Sequence, residues 1–254
     1  MIPPDCESTM SQHAPDPSAY DDFTPGLRVR RGLARWPLSR VRLAAFDMDS
    51  TLINIECIDE IADAAGRKAE VAAITEASMR GEITDFRESL RRRVALLRGV
   101  PESALADVLA QRLQINPGVE MFLAALHAHG VATLLVSGGF TFFSRAVRER
   151  LGMGYARANQ LEVSDGVLTG GLVPQAWGDI CDGAEKRRTL LELCSLLDID
   201  PADTLAVGDG ANDLPMMGAA GLSLAFHAKP LVAAQADLSL VVGPMDDVLD
   251  WFQL

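Results

Sequence analysis

From Arg42 to the C-terminus, short apolar runs alternate with longer stretches of helical periodicity, and this rhythm constrains the fold more than any other feature of the chain. Runs of four or five apolar residues have the length of strands buried on both faces, and such strands need crossover helices to cover them. The expected strands are Leu43 to Phe46, Ala132 to Val136, Thr204 to Val207, Leu222 to Ala225 and Leu238 to Val241. Helices are expected between them, at roughly Val119 to His129, Thr141 to Leu151, Lys186 to Leu197, Leu214 to Ala219 and Leu231 to Ala236. Strand and helix alternate as βαβ units do, which requires a parallel sheet.

The fold class is therefore α/β, a Rossmann-like parallel sheet core with helices on both faces. Two segments break the rhythm. Residues 55–115 carry only helical periodicity, with Ile58, Ile61, Ala62 and Ala65 on one face and Phe86, Leu90, Val94 and Leu97 on another, so a helical cap is expected as an insert after the first strand. Between Arg157 and Leu172, two short runs flank Asp165-Gly166, a hairpin signal. The catalytic core is assigned to residues 41–54 and 116–254. Six of the 13 prolines fall in residues 1–40, which are expected to form a flexible N-terminal extension. A chain of 254 residues suits this plan of one large domain with an insertion.

The net charge of −12 repels polyanions, which excludes nucleic acid and acidic membranes as partners. It does not exclude a small anion, because a few oriented amides, one lysine and a metal make a local positive site. The longest stretch without Asp, Glu, Lys or Arg, Met121 to Ser144, is interrupted by two histidines and Ser137-Gly138-Gly139, so it is not read as a membrane span. No apolar run behind a basic start marks a secretory signal, and Cys6, Cys57, Cys181 and Cys194 have no CxxC spacing. These features point to reduced thiols and a cytoplasmic location, and a homodimer is compatible with them.

Polar residues cluster where the strands end. The first strand runs into Asp47-Met48-Asp49-Ser50-Thr51, at the edge where open α/β sheets bind ligands. Two carboxylates this close need a cation or a shared proton, although a solvated turn or helix cap would carry the same residues. Gly208-Asp209-Gly210-Ala211-Asn212-Asp213 follows another strand; Asp209 and Asp213 are hard oxygen donors of the kind Mg²⁺ prefers. Ser137-Gly138-Gly139 follows a third and is expected to open a helix, offering a hydroxyl and free amides to a phosphate. Lys186 adds a point charge suited to a phosphoryl oxygen.

These four motifs, in this order, resemble those of the haloacid dehalogenase-like phosphatases. Within that family, residues 55–62 and 89–94 resemble the cap of the phosphoserine phosphatases. The resemblance covers about Val41 to Leu254 and leaves no room for an N-terminal regulatory domain. It implies a phosphoric monoester hydrolase in which Asp47 attacks phosphorus to form an aspartyl-phosphate while Asp49 protonates the leaving oxygen and then activates water. It further implies Mg²⁺ held by Asp47, Asp209 and the backbone carbonyl of Asp49, with Asp213 orienting that shell. Ser137, Gly138, Lys186 and Asn212 would hold the phosphoryl group. The implied substrate is O-phospho-L-serine, whose ammonium would pair with Glu56 and whose carboxylate with Arg93, while Met79 and Phe86 close the apolar side. Hydrolysis would complete serine synthesis. The alternatives are a phosphatase or phosphotransferase for another small phosphorylated metabolite, and a catalytically silent cation-binding module.

Overall fold

The computed structural model describes residues 19–79, 83 and 85–253, without the side chains of 76, 78 and 79. Strands β1 (Tyr20–Thr24), β2 (Leu27–Arg30) and β3 (Leu43–Phe46) are followed by helices α1 (Cys57–Ala64), α2 (Lys68–Met79), α3 (Phe86–Ala95), α4 (Ser103–Gln111) and α5 (Val119–Ala128). Next come β4 (Ala132–Phe140), α6 (Thr141–Arg150), the hairpin strands β5 (Tyr155–Ser164) and β6 (Val167–Val173), and α7 (Gly183–Leu197). The chain ends with β7 (Thr204–Gly208), α8 (Leu214–Met217), β8 (Leu222–Phe226), α9 (Pro230–Ala233) and β9 (Leu238–Leu240).

The sheet order is β1-β2-β9-β8-β7-β3-β4-β5-β6. The six strands from β9 to β5 are mutually parallel, and antiparallel hairpins close both edges. β3 is buried on both faces, so its residues alternate between two cores. Ala44 and Phe46 face the layer holding Phe122 and Leu126 of α5, whereas Leu43 and Ala45 face Leu190 of α7 and Met216 of α8. Phe46 meets Phe122 edge to face at 6.2 Å. Burying a side chain of this size contributes about 1.5–3 kcal/mol, and truncating it to alanine removes about 3–5 kcal/mol.

The N-terminal extension does not match its expectation from Tyr20 onward. β1 and β2 add to the sheet beside β9, and Leu27, Trp36 and Leu38 are buried. The period-two pattern of Leu27-Arg28-Val29-Arg30 directs Leu27 and Val29 inward, and Gly26, at φ 90°, makes the turn. Composition averaged over forty residues hides a four-residue alternation. Arg35 then donates to the carbonyls of Asp250, Trp251 and Phe252, each at 2.8 Å, tying this segment to the C-terminus. Residues 1–18, with Cys6, lie outside the described residues.

A second difference concerns β4, which continues through Ser137-Gly138-Gly139 to Phe140 instead of ending at Val136. Its pairing with β5 shifts register between Val136 and Phe140, so the triplet is an irregularity within the strand and helix α6 begins after it.

Among the described residues, 57–111 form four helices and no strand. The chain leaves and re-enters the sheet layer through a narrow neck, where Ile53 bridges Ile115 and the Asn54 N–H donates to the Gln114 carbonyl at 3.0 Å. The β5–β6 hairpin supports the helices from below: the Gly99 N–H donates to Leu168 O and the Leu168 N–H to Val100 O, both at 2.8 Å.

Candidate active site

Parallel register brings the acidic motifs together. Phe46 pairs with Val207 on one side and Leu135 on the other, so the residues that follow, Asp47, Gly208 and Val136, emerge side by side at the carboxyl edge. Here the chain passes from β3 to β4 on one side and later returns to β7 on the other, the switch point where such sheets open a crevice. A cavity of about 770 Å³ lies above it.

Asp47 is almost fully buried. Its Oδ1 accepts from the Met48 N–H and from Lys186 Nζ, both at 2.7 Å. Lys186 sits in the first turn of α7 with no solvent exposure, and its Nζ also donates to Asp213 Oδ1 at 2.6 Å. The other oxygen of Asp213 accepts from the N–H groups of Asp209 and Gly210. Carboxylate oxygens of Asp47, Asp209 and Asp213 lie within 4.8 Å of one another, and such hard donors fit a Mg²⁺ ion. Asp213 is already engaged by three donors, whereas the Asp209 carboxylate accepts, among the described residues, only the Thr51 hydroxyl, at 2.9 Å. One ammonium does not balance three carboxylates. Burial and the neighbouring Asp213 hold the Asp47 carboxyl well above its ordinary range, and the same causes raise Asp209 to about 6. Against the opposing effect of burial, the charges of Asp213 and Asp47 push the Lys186 ammonium upward.

Asp49 is not in that cluster. One of its oxygens is buried without a hydrogen-bond partner, and burial followed by repulsion from Glu56 raises its pKa to about 8. It therefore holds a proton at neutral pH while facing the cavity. Gly139 makes room for it, since a Cβ there would stand 3.0 Å from Asp49 Oδ2.

Ser137 and Gly138 line the same cavity, and Ser137 Oγ accepts from the Gly139 N–H at 2.8 Å. Asn159, fully buried in β5, holds this turn: its amide donates to Gly138 O and its carbonyl accepts from the Cys181 N–H, each at 2.7 Å. Asn116 does the same for the acidic loop, donating to Thr51 O at 2.9 Å and Ile53 O at 3.1 Å. Both asparagines escape sequence reading because their partners are distant in the chain. Asn212 lines the cavity beside Gly210.

The helical segment supplies the roof. Phe86 and Arg93, seven residues apart, project from the same face of α3, with Leu90 between them. The Phe86 ring rests against Gly138, where a Cβ would lie 3.0 Å from its Cζ. In the arginine run of α3, Arg91 binds Asp179 and Arg92 binds Glu88, so Arg93 alone turns inward. Glu56 caps the start of α1, and its Oε1 accepts from Ser50 Oγ at 2.7 Å, with Ser50 held at φ 57°. Asp59 and Lys229 also line the cavity and were not singled out by the sequence. The spacing of Asp59, three residues after Glu56, is the signal that could have found it. Met79 ends α2, and its side chain lies outside the described residues. All the other expected site residues converge on this one cavity or, for Lys186 and Asp213, on the charged cluster beneath it.

A model of the haloacid dehalogenase-like hydrolase family matches residues 44–218. The chain is 59% identical over 231 residues to a phosphoserine phosphatase of Albidiferax ferrireducens, covering 91% of this chain and 98% of that one. A phosphoserine phosphatase of a Polaromonas species is 58% identical over 229 residues, with 90% and 97% covered. A solved structure described as a phospho-aspartyl intermediate analogue of phosphoserine phosphatase superposes with a TM-score of 0.77 at 38% identity, covering 84% of this chain and 99% of that one. The acidic edge of β3 and β7, the buried lysine beneath it and these likenesses over nearly the whole length have one explanation: the chain belongs to the haloacid dehalogenase-like hydrolases.

Proposed function

We propose that the chain is a phosphoserine phosphatase, hydrolysing O-phospho-L-serine to L-serine and phosphate as the last step of serine synthesis. One observation carries the reading: a single cavity is lined by the Asp47–Asp49 pair from the sheet edge and by Glu56 and Arg93 from the helical segment, the arrangement a phosphorylated amino acid requires. The relatives named above share this activity by name.

In the proposed reaction the Asp47 carboxylate attacks phosphorus as the bond to the serine oxygen breaks, giving an aspartyl-phosphate. Asp49 gives its proton to the departing oxygen, the role its raised pKa fits, and as a carboxylate it then takes a proton from the water that cleaves the intermediate. Ser137, the Gly138 amide, Asn212 and Lys186 neutralise the phosphoryl oxygens. Asp47, Asp209 and the Asp49 carbonyl would hold Mg²⁺, with Asp213 keeping Lys186 and the loop in place; the ion supplies the positive charge that lets Asp47 stay ionised beside its acidic neighbours. Residues 55–115 act as a substrate-selecting cap on a core of residues 41–54 and 116–254. Arg93 binds the carboxylate and Glu56 the ammonium, with Phe86 and Met79 on the apolar side. No helix among the described residues is long and apolar enough to cross a membrane. The free thiols of Cys57, Cys181 and Cys194 support a cytoplasmic location.

Phosphate release from O-phospho-L-serine, measured with Mg²⁺ and again with excess EDTA, tests the proposal. Turnover that requires the metal is expected; no release in either condition would refute it, and equal turnover of unrelated phosphomonoesters would favour the broader small-metabolite phosphatase.

A further inference from the structure

The roof of the cavity holds two polar atoms that the assigned roles leave unexplained. Arg93 Nε and Asp59 Oδ1 are both buried, and neither has a hydrogen-bond partner. Both residues line the cavity. They are close enough for each to be the main opposite charge felt by the other, yet no ion pair joins them within bonding distance. Two opposite charges on the lining of one cavity that do not pair with each other leave between them a place for a group carrying both complements. An α-amino acid is such a group, with its ammonium and carboxylate on one carbon.

Glu56 is less free than its assigned role suggests. Its Oε1 is occupied by the Ser50 hydroxyl, and the residue itself is solvent-exposed at the cavity mouth. Asp59, one helical turn further along α1 on the same face, lines the same cavity and is less exposed than Glu56. A charged contact there is screened less by solvent than one at the mouth. We propose that Asp59 is the second acceptor for the substrate ammonium and, being the less solvated of the two, the stronger discriminator between phosphorylated amino acids and phosphorylated acids without an amine. The proposal rests on the phosphoserine phosphatase reading and deepens it.

The test compares O-phospho-L-serine with 3-phosphonooxypropanoate, the same skeleton without the amine, in the wild-type protein and in Asp59→Asn and Glu56→Gln. Asp59→Asn keeps the side-chain shape and removes the charge. It is expected to lower kcat/KM for phosphoserine by roughly 10- to 100-fold, chiefly through KM, and to change that for the deaminated ester by less than about threefold. Its effect on the ratio of the two esters is expected to exceed that of Glu56→Gln. Thermal melting and p-nitrophenyl phosphate turnover establish that the variant is folded. Equal losses on both esters would overturn the proposal and assign Asp59 a structural role, and an unchanged ester ratio would overturn it as well. A wild-type protein indifferent to the amine would instead refute the amino-acid reading of the whole cap, an outcome visible before any variant is made.

Discussion

Lys186→Met isolates the electrostatics of the site. The ammonium is fully buried and lies 2.7 Å from Asp47 and 2.6 Å from Asp213, so removing it leaves two buried carboxylates, with Asp209 nearby, facing one another without compensation. Breaking a buried pair in this way destabilises by about 3–5 kcal/mol, which in a domain of this size lowers Tm by about 6 to 20 °C. The loss must depend on pH. Without the lysine the carboxyls of Asp47 and Asp209, already raised in the folded state, rise further above their unfolded values, so between about pH 4 and pH 8 the folded variant binds more protons than the unfolded chain, and its stability falls as pH rises. The gap from wild type is therefore expected to be small at pH 5, where the carboxyls are protonated, and largest near pH 8. Because a divalent cation also supplies positive charge, Mg²⁺ is expected to narrow the gap at pH 8. Thermal unfolding from pH 5 to 8, with EDTA or with Mg²⁺, measures this. A loss of the same size at every pH would refute the reasoning, since a packing defect does not titrate. Turnover is expected to fall by roughly 10²–10³ as well, from the missing donor to the phosphoryl oxygens.

Three further outcomes follow from the same geometry. Asp47→Asn is expected to abolish turnover while the protein stays folded, read by phosphate release and circular dichroism together, because an amide cannot attack phosphorus. Asp49→Asn is expected to slow phosphoserine far more than p-nitrophenyl phosphate, whose leaving group needs no proton, and in metal-free protein to flatten the decline of stability between pH 5 and 8, where up to one proton, or about 1.4 kcal/mol per pH unit, is held by a carboxyl raised to about 8. Arg93→Ala is expected to remove most of the preference for phosphoserine over phosphoethanolamine, roughly 30- to 1,000-fold in kcat/KM, since the latter has no carboxylate to leave unpaired.

Much of the core can be read from the chain alone, for a physical reason. Strands buried on both faces must be continuously apolar, so Leu43 to Phe46 is recognisable as a strand and its end is marked by the first charge that cannot be buried alone, Asp47. β4 as far as Val136, β7, β8 and β9 are legible for the same reason, whereas β5 is legible only as an arm of the Asp165-Gly166 hairpin, whose turn needs residues that tolerate positive φ; both have it, at 53° and 75°. Local pattern also marks the motif carboxylates, because polar residues at the end of an apolar run have few structural uses.

What the tertiary structure decided are the identities that depend on direction or on distant partners. Arg91, Arg92 and Arg93 are equivalent in sequence, and only the phase of α3 over the cavity sends Arg93 inward and its neighbours to Asp179 and Glu88. Lys186 becomes a buried counter-ion, not a surface lysine, because α7 packs against α8 and β4 and delivers it between Asp47 and Asp213. Asn159 and Asn116 gain their purpose from carbonyls 21 and 65 residues away. The β1–β2 hairpin is shaped by the free edge of β9, which supplies the hydrogen-bond partners and the apolar surface that a four-residue alternation cannot provide for itself. A single strand or an isolated polar side chain has no stable place until another part of the chain satisfies it, so sequence determines the buried periodic elements and tertiary contact determines the rest.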